Sequence, residues 1–571
     1  MNGPAAPKDP EKERDFFYII KNKCIFGTKM PDGRGIQYLY QDDGRLENSA
    51  RITGGITDET ELALLNSTEG FKKLVHSIGI SVEADNPSEK IIFVFQMYGR
   101  NDIYGGGTEL EIPLTGDGAE KRIYLSEIAW KEDDNQPGQI KVIMEKPEQT
   151  VTLNVRLYLN DGYSAPGIDE EGEIDFSCED YKNIIASSFL SAGDTTRLKR
   201  AIDCARNGRE TCIAYIGGSI TQGAGAVPIH TECYAFQSFC KFKEKYSNGN
   251  NVHFIKAGVG GTPSELGIIR FERDVLRDYT VEPDIIVIEF AVNDEGDETK
   301  GIFYESLIRK ALKLPNQPAV ILLFSVFAND WNLQERMIPV GQHYNLPMVS
   351  IKNAVTPQFY KKDGKGRVFT KNQFFYDIYH PSNVGHTVMA DCLSYLFAQA
   401  EKDTGLGDRE KGTEYLLPKE PVTGNTFEDI RLLDKRNVYN KAEIMPGGFD
   451  GTDTILQCVE MDDSLVPVPE FPYNWHYDGC NTDVPYFEMK LTCRLLVLIF
   501  KDSGETDAAK ADIYVDNELV RKADPYVNGW LHCNPVIIIN EKESGHHFVH
   551  IEIDKEDVEK KFTILGFGYA V

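Results

Sequence analysis

The stretch Ile213-Ala214-Tyr215-Ile216-Gly217-Gly218-Ser219-Ile220-Thr221-Gln222-Gly223 sets the reading of the whole chain. Its apolar run has the length and composition of a strand buried on both faces. Two glycines end that run, and glycine lets a backbone turn sharply and approach its neighbours closely. A serine follows at the carboxyl end of the strand, the edge where parallel α/β sheets place their ligands. Taken alone, Gly-Gly-Ser after a strand reads more often as a plain turn than as a site. The spacing fits neither a GxGxxG dinucleotide fingerprint nor a phosphate loop, since no Gly-Lys-Ser/Thr follows.

Around this stretch, apolar runs alternate with amphipathic helical patterns. Strand candidates are Cys212–Ile216, Val252–Lys256, Asp284–Phe290, Ala319–Ser325 and Pro347–Ser350. Helix candidates are Tyr234–Tyr246, Ser264–Asp278, Ile302–Leu312, Leu333–His343 and Asn383–Ala400. Buried strands alternating with helices imply a parallel sheet covered on both faces. Further out the texture changes. Residues 1–185 carry strand-like runs at Lys90–Met97, Lys121–Leu125, Gln139–Met144 and Thr152–Leu159, separated by Gly/Asp-rich turns, and read as a β-sandwich. The catalytic candidate spans 186–400. Residues 401–440 are polar, dotted with Gly and Pro, and read as a linker or strap. From 441 to 571 strands return at Arg494–Phe500, Ala511–Val515, Pro535–Asn540, His547–Ile553 and Phe562–Tyr569, with Asp516-Asn517 as a tight turn. This is a second β-sandwich.

Three more blocks stand at predicted strand ends. Lys256-Ala257-Gly258-Val259-Gly260-Gly261-Thr262-Pro263-Ser264 ends a strand in glycines and starts a helix. Its backbone N–H groups suit developing negative charge, and a tight strand-to-helix turn reads equally well. Ile288-Glu289-Phe290-Ala291-Val292-Asn293-Asp294 puts an amide side chain just past a third strand, as a donor or as an Asx-turn. In Asp377-Ile378-Tyr379-His380-Pro381-Ser382 a carboxylate precedes a histidine by three residues. Such an aspartate accepts from one ring nitrogen and leaves the other to act as a base.

In this order the four blocks resemble those of the SGNH-type (GDSL-like) hydrolases, over about 210 of the 571 residues. The resemblance implies a flavodoxin-like α/β domain flanked here by two β-sandwich, jelly-roll-like domains. It implies Ser219 as nucleophile and Asp377 and His380 as acid and base. The backbone N–H groups of Ser219 and Gly261 and the Asn293 side chain then form the oxyanion hole. Gly218 stands where the common serine block has aspartate, Lys256 where the glycine block often has asparagine, and Val292 in place of glycine. The Gly-Gly-Ser-Ile-Thr form is similar to that of carbohydrate-esterase branches, acetyl xylan esterases among them. That implies removal of O-acetyl groups from plant polysaccharide fragments, xylo-oligosaccharides first. A lipase or thioesterase of the same fold is one alternative, and a catalytically inactive carbohydrate-binding protein another.

The remaining features set limits. The net charge of −28 repels nucleic-acid backbones and anionic lipid and favours a neutral sugar, so neither nucleic acid nor membrane is expected as a partner. No apolar run approaches the ~20 residues of a membrane helix. The first residues show no apolar signal region, and eleven scattered cysteines without a CxxC pair fit a reducing compartment, so a cytoplasmic location is expected. No cofactor is expected. A catalytic metal is disfavoured, because His380 and His386 lie six apart and His546-His547 are adjacent, neither spacing placing ligands on one helix face. The sequence is compatible with a homo-oligomer. Trp331, in Phe327-Ala328-Asn329-Asp330-Trp331-Asn332, follows the fourth strand and is a candidate for stacking on a sugar ring, with core packing equally open.

Overall fold

Five strands, Thr211–Gly217, Val252–Gly258, Ile285–Glu289, Ala319–Phe324 and Met348–Ser350, pair in parallel. Numbered in chain order they lie 2-1-3-4-5, with a short antiparallel strand, Phe189–Ser191, beside the last. This is the doubly wound order of flavodoxin, whose ligand crevice opens between the carboxyl ends of strands one and three. Four of these strands are buried along their whole length because both faces are covered, while the edge strand Val252–Gly258 exposes His253. The structure is a computed structural model and describes residues 13–571 except 31, 41–44, 168–170, 362–365, 404–416, 481–482 and 527. By their contacts the residues form two compact units, Met1–Ile174 with Phe369–Ser382, and Asp175–Val368 with Asn383–Val571.

In the second unit the helices Tyr234–Tyr246 and Ile302–Leu312 keep their expected bounds. The helix expected over Ser264–Asp278 does not. It ends at Ile269, resumes over Phe271–Asp274, and is followed by Arg277, Asp278 and Tyr279 in left-handed conformation, which no α-helix continues. Arg270, at the break, is only 1% exposed. Its Nη1 donates to Ala257 O at 2.7 Å and its Nη2 to Gly217 O at 2.9 Å, so one guanidinium ties the ends of strands one and two. A buried cation needs a paired anion. Asp274 supplies it at 3.1 Å, and Arg273 joins Asp274 to Glu470. Burial works against the Asp274 charge, but the two guanidinium groups hold its carboxyl below the usual range.

Of the expected 401–440 linker, residues 404–416 lie outside the described residues. From Leu417 the chain follows helix Ile302–Leu312. Glu305 accepts from the N–H groups of Val422 at 2.8 Å and Gly424 at 3.0 Å, Arg309 pairs with Glu428 at 2.7 Å, and Phe427 stacks on Phe303 at 3.8 Å. An eight-stranded antiparallel sheet follows. The runs expected separately at Pro535–Asn540 and His547–Ile553 are one strand, His532–Ile553. Its exposed polar middle, residues 541–544, has no partner in the ladder between Asn540 and Gly545. This strand bulges opposite Cys493–Val497 of its partner Tyr486–Asp502, which bends the sheet. Asp516 and Asn517 both have positive φ between antiparallel strands, as a type I′ turn requires. One face of this sheet, with Leu495, Val497 and Ile499, shares a core with Ile268, Ile269 and Phe271 of the central domain.

In the first unit, Phe16–Phe26, Thr150–Leu159, Val75–Ala84 and Lys121–Tyr124 form one antiparallel sheet. Thr28–Lys29, Gly35–Tyr40, Asp134–Met144, Lys90–Gly99 and Glu109–Thr115 form a second. The two enclose a shared core that includes Phe17, Phe71, Phe93 and Phe95.

Candidate active site

Strand one ends at Gly217, and Ser219 opens the short helix Ser219–Gln222. Between them Gly218 admits no side chain. A Cβ there would lie 2.3 Å from Asn293 Oδ1 and 2.6 Å from its Cγ. The Asn293 amide thus packs directly on the serine turn, at the position where related serine blocks carry aspartate. Asn293 follows strand three, and its neighbour anchors it. Asp294 accepts from Ser264 N at 2.8 Å and from Ser264 Oγ at 2.7 Å. Burial pushes the Asp294 carboxyl up to about 7.

The glycine block runs beside the nucleophile, since a Cβ on Gly260 would lie 3.9 Å from Ser219 Cβ. Gly261 has φ +68 and lies under an indole: a Cβ on it would be 2.5 Å from Trp530 Cζ2 and Cη2. Its N–H donates to no protein group among the described residues. Lys256, buried, donates from Nζ to Gln222 O at 2.9 Å and holds the far end of the serine helix. Ser219, Gly261 and Asn293 therefore converge within the second unit.

Trp530 reaches this loop from the C-terminal sheet. It stacks on His532 with ring centroids 4.3 Å apart. His532 Nδ1 donates to Trp530 O at 2.9 Å, and its Nε2 accepts from Asn528 Nδ2 at 2.9 Å, so both nitrogens serve as a neutral ring. Burial pushes the His532 pKa down, in agreement with that hydrogen bonding.

The Asp-x-x-His block belongs to the first unit. Asp377 Oδ1 accepts from the N–H groups of Tyr379 and His380, each at 2.8 Å. His380 Nδ1 donates to Asp377 Oδ2 at 2.8 Å. Burial raises the Asp377 carboxyl, but His380 and these backbone donors outweigh it and hold the pKa below the usual range. The turn is fixed from the strand Phe16–Phe26. Lys23, 9% exposed, donates from Nζ to Asn372 O at 2.6 Å and to Phe375 O. Burial brings its pKa down to about 8 against the pull of Glu171 and Asp377. Arg45 lies 4.9 Å over the Tyr379 ring.

Trp331 is half-buried and stacks on Phe327 of its own loop, with centroids 5.7 Å apart. His386 is part of the packing: its Nδ1 accepts from Tyr234 N at 3.1 Å and its Nε2 donates to Ala224 O at 3.1 Å. His547 Nδ1 bonds Asp516 at 2.8 Å and His546 Nδ1 bonds Thr492 at 2.7 Å. Among the described residues no group of three His, Cys, Asp or Glu is gathered as for a metal. Lys23, Trp530 and Asn528 carry no local signal in the sequence, since each acts through partners distant in the chain.

No protein-family model and no curated protein matches the chain. Solved structures do. A two-domain esterase active on acetylated mannans is 25% identical, with a TM-score of 0.56 over 68% of this chain and 98% of that one. The same esterase co-crystallised with mannopentaose matches at 24% identity and a TM-score of 0.54, with the same coverage. The likeness to an esterase, joined to the order of the serine, glycine, asparagine and Asp-x-x-His blocks, supports an SGNH-type carbohydrate esterase, a serine hydrolase of carboxylic esters.

Proposed function

We propose that the protein removes O-acetyl groups from oligosaccharide fragments of plant polysaccharides. His380 takes the proton from Ser219 as its Oγ attacks the ester carbonyl. Asp377 orients the imidazole and stabilises its cation without taking the proton. The backbone N–H groups of Ser219 and Gly261 and the Asn293 amide carry the oxyanion. The sugar leaves as an alcohol, protonated by His380. Water, deprotonated by the same ring, then releases acetate from the serine. The observation that carries this reading is the convergence of the Asn293 amide and the Gly261 loop on the Ser219 turn. The Asp377–His380 hydrogen bond supports it, since Nδ1 is engaged and Nε2 becomes the base.

The sequence resemblance favours acetylated xylo-oligosaccharides, and the two-domain neighbour's activity favours acetylated manno-oligosaccharides. Both are neutral, which suits a chain of net charge −28. Trp530 over Gly261 narrows the space above the oxyanion loop and favours a short acyl group. Release assays on both oligosaccharides and on p-nitrophenyl acetate, butyrate and octanoate test the reading. We expect acetate release from at least one oligosaccharide, roughly a tenfold or greater drop from acetate to butyrate, and no turnover of octanoate. A preference for octanoate moves the protein to the lipases. No release from any ester makes it a binding protein.

Trp331 is the proposed sugar platform, its indole face set against the apolar C–H face of a pyranose. Trp331→Ala should then lower kcat/KM on the oligosaccharide about tenfold more than on p-nitrophenyl acetate. Equal losses on both, with a lower Tm, assign Trp331 to packing against Phe327 alone.

A further inference from the structure

The glycine loop beside Ser219 is held from outside the central domain. Gln457 Nε2 donates to Gly260 O at 2.8 Å, and Gln457 Oε1 accepts from Cys533 N at 3.2 Å. The partners fix which end of the amide is which, because a carbonyl only accepts and an N–H only donates. Cys533 lies in the strand His532–Ile553, and Gln457 O accepts from Glu470 N at 2.8 Å, so the side chain is anchored on both sides. The hairpin Cys458–Glu460 with Pro467–Pro469 follows directly. Its Glu460 accepts from Gln222 Nε2 at 2.9 Å, at the end of the serine helix.

A trans peptide is planar, so its C=O and N–H point in opposite directions. Holding the carbonyl of Gly260 therefore sets the direction of the Gly261 N–H. Two adjacent glycines leave that peptide unusually free to rotate, since neither has a Cβ to restrict it. The loop's own bonds, from Val259 N to Gly217 O and from Thr262 N to Val259 O, lie on either side of it and do not hold it. Among the described residues, the Gln457 amide is the group that does.

We propose that Gln457 is a positioning residue for the esterase reaction: it pins the Gly260 carbonyl and so keeps the Gly261 N–H turned to the acyl oxygen. This rests on the reading of Ser219 as nucleophile and Gly261 as oxyanion donor. The C-terminal sheet thereby takes part in catalysis through the backbone geometry of a loop it does not itself contain.

The test compares wild type with Gln457→Met, Gln457→Glu and Gln457→Lys on p-nitrophenyl acetate, with Ser219→Ala and the Tm of each variant as controls. Methionine keeps the length and loses the donor. Glutamate keeps the shape and sets an acceptor against a carbonyl. Lysine restores a donor. Because the hole acts on charge that develops in the transition state, kcat should fall about ten- to a hundredfold in the first two, with KM within about twofold of wild type. Lysine should recover most of the loss. If Ser219→Ala removes turnover while Gln457→Met and Gln457→Glu keep kcat within about twofold of wild type, the positioning role is overturned and the esterase reading stands. If kcat falls with a matching rise in KM and a lower Tm, and lysine restores nothing, Gln457 serves only docking and the proposal fails. If Ser219→Ala retains turnover, the reading of Ser219 as nucleophile fails and takes this inference with it.

Discussion

Ser219→Ala should abolish ester hydrolysis, with a loss in kcat on the order of 10⁶, because no other group then forms the acyl-enzyme. The fold should survive. Ser219 is the first residue of a four-residue helix, and alanine is a good helix former at that position. The Asn293 amide packed on Gly218 and the Lys256 Nζ bond to Gln222 O shape the turn and are kept in the variant. Residual catalysis from the oxyanion donors is expected to remain above the uncatalysed rate. The measurement is single-turnover and steady-state release of p-nitrophenol, with circular dichroism and Tm as the fold control. A kcat within tenfold of wild type on folded protein would sink the nucleophile assignment.

What could be read from the sequence follows from how local the cause is. Four of the five parallel strands are legible because burial on both faces turns each into an apolar run, and the glycines that end strands one and two mark close approaches. Gly218 is a case in point: its missing side chain is visible, although its close contact with the Asn293 amide is not. The break at Arg270 is illegible. Nothing in Ile268-Ile269-Arg270-Phe271 announces that a guanidinium will turn inward to bind Gly217 O and Ala257 O. The exposed polar Glu541-Lys542-Glu543-Ser544 bulges out of the ladder between Asn540 and Gly545, so one strand reads in the sequence as two. Lys23, Gln457 and Trp530 were missed for one reason. Each is a single residue in an ordinary local setting, and its role comes from partners such as Asn372, Gly260 and Gly261 far along the chain. Periodicity reports on neighbours in sequence and carries no information about such contacts.

Asp377→Asn should reduce kcat by about 10⁴ while leaving the turn in place. The reason lies in how the carboxylate is divided. Oδ1 accepts from two backbone N–H groups, of Tyr379 and His380, each at 2.8 Å. An asparagine in this turn must present its oxygen to those two donors, because turning its NH₂ toward them would set donor against donor. The NH₂ then occupies the place of Oδ2 and faces His380 Nδ1, which now stands 2.8 Å from a donor. Nδ1 is forced to accept, so the ring proton moves to Nε2, and the nitrogen that should take the Ser219 proton already carries one. The imidazolium formed in the reaction also loses the adjacent negative charge. Lys23 and its bonds to Asn372 O and Phe375 O should keep the turn folded, so Tm should change little beside the loss in rate. Asp377→Asn turning over within tenfold of wild type, with an unchanged pH profile, would show that the tautomer of His380 is set by some other group and would remove Asp377 from the mechanism.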